Sequence, residues 1–256
     1  MTTAAGGTTP PLVSVITVSF NAAQTIRATM DSLDVQVCRD FEWVVIDGGS
    51  TDGTREFLER HRARMSHFVS EPDAGIYDAM NKGIRAATGQ WLLFLNADDV
   101  LADPAVLLDM SQHLRAAGQD AGVVYGDVYY TDGTRKWLQT FHWVTRRNLL
   151  YGHLCHQAVF ARHSAFLLLG EFDTTLRINA DYEWLLRVFK SRLCTRYVPR
   201  VVATFSVGGM HGRDRQFLAA ERLAVRRRFA TRPRLAVGEF LLRVELKLRK
   251  SFGQAT

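Results

Sequence analysis

The chain has 256 residues, with 32 Lys and Arg against 26 Asp and Glu, a formal net charge of +6 and 47% hydrophobic residues. That length suits one α/β domain with a short appendage, and that composition excludes a wholly disordered chain. Purely apolar runs such as 91–95 and 165–169 fall far short of the roughly 20 residues a membrane-spanning helix needs.

Residues 1–11 have neither a basic nor an apolar signal region and read as a loose tail, so a cytoplasmic location is expected. The β-branched run Val13-Ser-Val-Ile-Thr-Val-Ser19 predicts a buried strand, followed by a helical pattern over 22–33. Residues 41–47 predict a second strand, closed by Gly48-Gly-Ser-Thr-Asp-Gly53, and 54–64 a helix with Phe57 and Leu58 inward. A brief third strand over 67–70, a helix over 76–87 and a fourth strand over 91–95 follow, and Asp103-Pro104 reads as the opening of another helix, with Asp103 as its cap. Strands alternating with helices imply a mostly parallel sheet covered on both faces, which binds ligands beyond the carboxyl ends of its strands. Those ends carry Ser19 and Asn21, then Asp47, Ser50 and Asp52, then Glu71 and Asp73, then Asn96, Asp98 and Asp99.

The second half differs. Residues 123–131 and 134–140 flank Asp132-Gly133 as a hairpin. Residues 155–160 read as a strand, 180–190 as a helix, and 196–207 as an extended segment broken by Pro199. Residues 213–250 hold 12 Lys and Arg against 4 Asp and Glu, while the rest of the chain is slightly acidic. Within that segment Val237, Phe240, Leu241, Val244 and Leu248 share one helical face opposite Glu239, Arg243, Lys247 and Lys250, a pattern suited to an anionic membrane surface or to docking on the protein's own body. Cys38, Cys155 and Cys194 are too far apart for a zinc site or a disulfide framework and read as packed thiols.

The loops of dinucleotide-binding and P-loop proteins are absent, as are HExxH and GxSxG. What stands in their place is Leu95-Asn-Ala-Asp-Asp99 at a strand end, where carboxylates offer hard oxygens to Mg2+ or Mn2+ on a phosphate. Together with Val13-Ser-Val-Ile-Thr-Val-Ser-Phe-Asn21, Val45-Ile-Asp-Gly-Gly-Ser-Thr-Asp-Gly-Thr54, Gly75-Ile-Tyr-Asp-Ala-Met-Asn-Lys-Gly83 and Ala87-Thr-Gly89, it resembles the successive motifs of family 2 glycosyltransferases, in order and in spacing.

The resemblance implies a GT-A fold in one domain, with a nucleotide-sugar-binding half over 12–122, an acceptor-binding half over 123–212 and a basic helical segment over 213–256. It implies that Asp47 recognises the nucleotide base, with Ser19, Asn21 and Asp52 lining that pocket and Asn81 and Lys82 on the donor side. Asp98, the last aspartate of a DxD motif whose first position is Asn96, would hold a divalent cation, Mn2+ or Mg2+. In Asn179-Ala-Asp-Tyr-Glu-Trp-Leu-Leu-Arg187, Asp181 takes the position of the general base, with Glu183 in reserve. His156 and Gln157 fall beside the acceptor, His211 is a further metal or diphosphate contact, and Arg187 is a second cation for the diphosphate. The function implied is an inverting transfer of a sugar from a nucleotide-diphosphate sugar to a glycan or lipid-linked acceptor, with no nucleic acid involved. The alternatives are a non-catalytic nucleotide-sugar-binding protein and a nucleotidyltransferase.

Overall fold

The computed structural model describes residues 9–207 and 215–231, and beyond them only 233, 235, 237 and 238. His211, the first residues of the expected tail and most of the amphipathic stretch after 235 lie outside the described residues.

Among the described residues one nine-stranded sheet runs in the order β3 (His67–Ser70), β2 (Phe41–Asp47), β1 (Val13–Ser19), β4 (Trp91–Phe94), β8 (Val159–Arg162), β6 (Ala121–Thr131), β9 (Cys194–Ser206) and β5 (Val100–Leu101), with β7 (Lys136–Gln139) on β6. Strands β1 (Val13–Ser19), β2 (Phe41–Asp47), β3 (His67–Ser70) and β4 (Trp91–Phe94) are parallel. Helices α1 (Ile26–Asp34), α2 (Thr54–Arg60) and α3 (Ile76–Ala86) connect them in turn. The chain moves outward from β1 through β2 to β3, then returns to place β4 on the other side of β1. That reversal opens a crevice between the carboxyl ends of β1 and β4, where such sheets bind ligands. Every residue of β1 is buried, as a central strand covered on both faces requires.

β5 (Val100–Leu101) and α4 (Val106–Arg115) follow, then the long β6 (Ala121–Thr131) and its hairpin partner β7 (Lys136–Gln139). β8 (Val159–Arg162) lies antiparallel to both β4 and β6 and so joins the two parts of the sheet. Helices α5 (His163–Leu169) and α6 (Ala180–Lys190), strand β9 (Cys194–Ser206) and helix α7 (Arg215–Phe229) complete the described chain. Among the described residues a single core runs from Leu12 to Leu235, with Trp91, Trp184, Phe160 and Phe166 among its largest fully buried side chains.

Several local expectations change. Helix α1 starts four residues later than its pattern: Asn21 adopts a left-handed φ of 51°, and residues 22–25 form a turn in which the Ala22 carbonyl accepts the Thr25 and Ile26 amides. The Ala22 amide donates to Thr54 Oγ1 and the Ala23 amide to Asp52. Asp103 lies just ahead of the cap position of α4: its Oδ1 accepts the Ala105 amide at 2.9 Å, its carboxylate accepts Arg200 at 2.6 and 2.8 Å, and the helix begins only at Val106. β9 is not broken at Pro199. It runs on with irregular register against β6, where a residue without an amide proton is tolerated. Residues 156–158 form a 3-10 turn, and the strand begins only at Val159. Of the three thiols only Cys155 is buried.

Gly89 shows why one motif position has no side chain. Its amide reaches Ser14 Oγ at 2.8 Å, and a Cβ there would lie 2.6 Å from the Ser14 backbone nitrogen and 2.9 Å from the Val13 carbonyl carbon. Backbone atoms cannot swing aside, so Gly89→Ala should cost about 1–3 kcal/mol. Urea denaturation would check this, and an unchanged midpoint would refute it.

Candidate active site

Two clusters line the carboxyl edge. In the first, Asp47 is fully buried and accepts four hydrogen bonds: Ser19 Oγ at 2.8 Å, Ser50 Oγ at 2.5 Å, the Ser50 amide at 2.9 Å and Ser70 Oγ at 2.7 Å. Burial alone would raise its pKa, but the Ser50, Ser70 and Ser19 donors together hold it below the ordinary value. Asn21 continues the network, its amide donating to Ser50 Oγ and its side chain accepting the Thr51 amide. Asp52 accepts from Ala23 and Thr54. These residues lock the ends of β1, β2 and β3 together. A base that contacts Asp47 would have to displace one of its seryl donors, and Ser70 is the half-buried one.

Phe20, at the end of β1, is 66% exposed, with its ring edge facing Gly48 beside Asp73. No role is marked for it in the sequence, where the available signal is a large aromatic between Ser19 and Asn21 at a strand end. Two donor-side expectations go elsewhere. The Asn81 side chain binds both the carbonyl and the amide of Phe172 at 3.0 Å, pinning α3 to the segment after α5. The Lys82 ammonium faces Glu71 at 2.8 Å and Asp78 at 3.5 Å.

The second cluster is centred on Asp181, in the first turn of α6. Its Oδ1 lies 2.9 Å from the Tyr77 hydroxyl, and its Oδ2 lies 2.9 Å from His156 Nδ1. Burial, with the adjacent Asp181 charge, pushes Tyr77 well above the usual phenol range, so it remains a neutral donor. On its other side His156 Nε2 lies 3.4 Å from Asn96 Nδ2. A neutral imidazole with its proton on Nδ1 satisfies both neighbours. A cavity of about 20 Å³, lined by His156, Asp181, Phe94, Phe172 and Trp184, lies against this pair.

Asp99 is fully buried. Gln157 Nε2 binds its Oδ2 at 2.8 Å and the Ser206 amide binds its Oδ1 at 3.1 Å. Burial, with the charge of Asp98 beside it, pushes its pKa up to about 7. Gln157 also accepts from Cys155 Sγ, so its amide is spent on tying strand ends together and not on the acceptor side. Glu183 and Arg187 likewise move out of the site. Two helix positions apart is roughly 200°, which turns Glu183 away from Asp181. Glu183 pairs with Arg187 at 2.9 Å, and Arg187 donates to the carbonyls of Leu169, Gly170 and Glu171.

No group of three or more His, Cys, Asp or Glu side chains suited to a metal occurs among the described residues. Asn96 Oδ1 is nonetheless buried without a hydrogen-bond partner, and Asp98 lies two residues on. One carboxylate with one amide oxygen fits a hard cation that takes its remaining ligands from diphosphate and water.

A family model described as glycosyl transferase family 2 matches residues 14–188, which include both clusters. The chain belongs to that family. A PGL/p-HBAD biosynthesis glycosyltransferase of Mycobacterium tuberculosis is 35% identical over 215 residues, 81% of this chain and 83% of the relative. Among solved structures, a mannosyltransferase of Pyrobaculum calidifontis in complex with GDP-Man and Mn2+ has a TM-score of 0.68 at 24% identity, over 91% of this chain and 70% of that one. Residues 1–349 of S. aureus TarS in complex with UDP-GlcNAc have a TM-score of 0.65 at 18% identity, over 79% of this chain and 61% of that one. The family 2 chain is therefore a glycosyltransferase on the expected GT-A fold, a curled, mostly parallel sheet with helices. Family membership removes the non-catalytic and nucleotidyltransferase alternatives.

Proposed function

We propose that this glycosyltransferase inverts the anomeric centre as it moves a sugar from a nucleotide-diphosphate sugar to a hydroxyl of a glycan or glycolipid, with Asp181 as general base. The observation that carries the reading is the Asp181 carboxylate, held by Tyr77 and His156, with Asn96 on the far side of the His156 ring. The donor class is supported by the nucleotide sugars bound to the structural neighbours, and a glycolipid acceptor by the mycobacterial relative.

In the reaction, Asp181 takes the proton of the acceptor hydroxyl while that oxygen bonds to the anomeric carbon and the bond to the diphosphate breaks. A single displacement inverts the configuration without a covalent enzyme intermediate. Asp98, with Asn96 Oδ1, would hold Mn2+ or Mg2+, which when bound supplies charge to the leaving diphosphate. Phe20 offers a face on which the base can stack, between Ser19 and Asn21. The donor occupies the half over 12–122 and the acceptor the half over 123–212. Helix α7 docks on the protein's own body, so an anionic membrane surface would meet only the remaining basic residues of 213–250. No helix among the described residues is long and apolar enough to cross one.

A thermal-shift panel of UDP, GDP, dTDP and CDP, each with and without Mn2+, tests the donor side. One nucleotide should raise Tm, and more so with Mn2+; at a hundredfold excess over Kd the gain is about 2.7 kcal/mol. Asp98→Ala should abolish the Mn2+-dependent part. A flat panel, or an Asp98→Ala response identical to the parent's, would sink the assignment.

A further inference from the structure

Helix α7 lies beyond the residues matched by the family model, and the chemistry proposed above makes no use of it. Its side chains nevertheless reach both loops that present the Asp181–His156 pair. The Glu221 carboxylate accepts the backbone amides of Arg177 at 2.6 Å, Ile178 at 2.9 Å and Asn179 at 2.9 Å, and Asn179 Nδ2 at 2.9 Å. Three successive amides turned toward one carboxylate make a nest, and this one immediately precedes the α6 turn that carries Asp181. The single Tyr77 hydroxyl proton is shared at the same place, the oxygen lying 2.5 Å from the Ile178 carbonyl and 2.9 Å from Asp181 Oδ1.

From the same helix, Arg222 donates to the Gly152 carbonyl at 2.6 Å and Arg226 to the Tyr151 carbonyl at 2.8 Å. The Arg222 guanidinium also covers the Tyr182 ring, and the Tyr182 hydroxyl donates to the Leu150 carbonyl at 2.6 Å. The loop over 150–152 leads into His156, as the loop over 177–179 leads into Asp181. Val225, fully buried, and the Arg228–Asp173 ion pair seat the helix between them.

We propose that α7 braces the acceptor half, with Glu221 as a positioning residue that keeps Asp181 in register with His156 and Tyr77, while Arg222 and Arg226 fix the loop that delivers His156. The proposal rests on Asp181 being the base. A backbone shift of about 1 Å at 177–179 breaks the Asp181–His156 contact, a displacement large enough to slow catalysis severely.

The test uses the full chain with Glu221→Ala, Glu221→Gln and, should either fail to fold, Arg226→Ala. With the nucleotide sugar selected by the panel and a synthetic octyl glycoside acceptor, kcat should fall about 10- to 100-fold while the donor Kd stays within about twofold. Proton NMR of the 15N-histidine-labelled protein supplies a reading that needs no substrate. The parent should show a downfield His156 Nδ1 proton, absent in Asp181→Asn and lost or broadened in the Glu221 variants. Wild-type kcat with an unchanged resonance overturns the brace. So does a donor affinity that declines in parallel with kcat, which would mean general loss of structure. Full activity in Asp181→Asn would instead overturn the general-base assignment, and the resonance would still decide whether α7 orders the pair.

Discussion

Asp181→Asn should lower kcat by about a thousandfold while leaving the donor affinity unchanged, the loss expected when a positioned general base is removed. The substitution is nearly isosteric, and the network around it can adjust. The new amide oxygen still accepts from Tyr77, and the new amide nitrogen donates to His156 Nδ1 if the imidazole proton moves to Nε2. The Nε2 proton then faces Asn96 Nδ2, so that one contact is lost while Asn96 Oδ1 keeps its place. Losing that one buried contact should cost about 1–3 kcal/mol, which leaves the protein folded. The variant thus separates chemistry from folding. Single-turnover transfer and donor titration on the same preparation would measure both quantities. A kcat within tenfold of the parent would remove Asp181 from the chemistry.

The strands of the first half were legible in the sequence because a central parallel strand is buried on both faces and leaves an uninterrupted branched run. β1 therefore begins and ends where its branched run does, and the buried part of β2 follows the same rule, whereas β3 is a half-buried edge strand. Residues 155–160 show the limit of that signal. Their sequence fits a strand, but Ala158 closes a turn onto Cys155, and the turn sends His156 toward Asp181 and Gln157 toward Asp99. Asp103, Glu183, Arg187 and Gln157 share one cause of misreading. Each is a polar residue at a plausible site position whose partner lies elsewhere in the fold, and periodicity reports a residue's face but not what the fold brings to it. Asp181 and Tyr77 are 104 residues apart, so their contact could be expected only through the family resemblance. Glu221 lay in a segment that reads as basic and amphipathic, and nothing local marks it as the anchor of a distant loop.

Asp47→Ala should destabilise the protein by about 3–5 kcal/mol at neutral pH, the range seen when one partner of a buried charged network is deleted. The four donors come from the ends of three adjacent strands, and the Ser50 amide among them has no rotor with which to find another acceptor. Asp47→Asn should cost about half as much: its one oxygen still accepts, and seryl hydroxyls can reverse to accept from its nitrogen, but the Ser50 amide cannot. The loss should also depend on pH in a definite sense. The donors hold the folded pKa of Asp47 below its ordinary value of 3.8, so the unfolded chain takes up the proton first as pH falls. The carboxylate's contribution is therefore complete above about pH 4 and is lost as pH drops through the folded pKa. Urea denaturation of parent and Asp47→Asn at pH 7 and at pH 3 would show the difference between them shrinking at the lower pH. Equal differences at both values would mean that the network recognises the shape of the side chain and not its charge. The same pair of proteins bears on base recognition. If Asp47 only fastens the strand ends, nucleotide affinity in Asp47→Asn will fall no further than the folded fraction does; a larger fall at full folding would mean that a seryl donor gives way to the base.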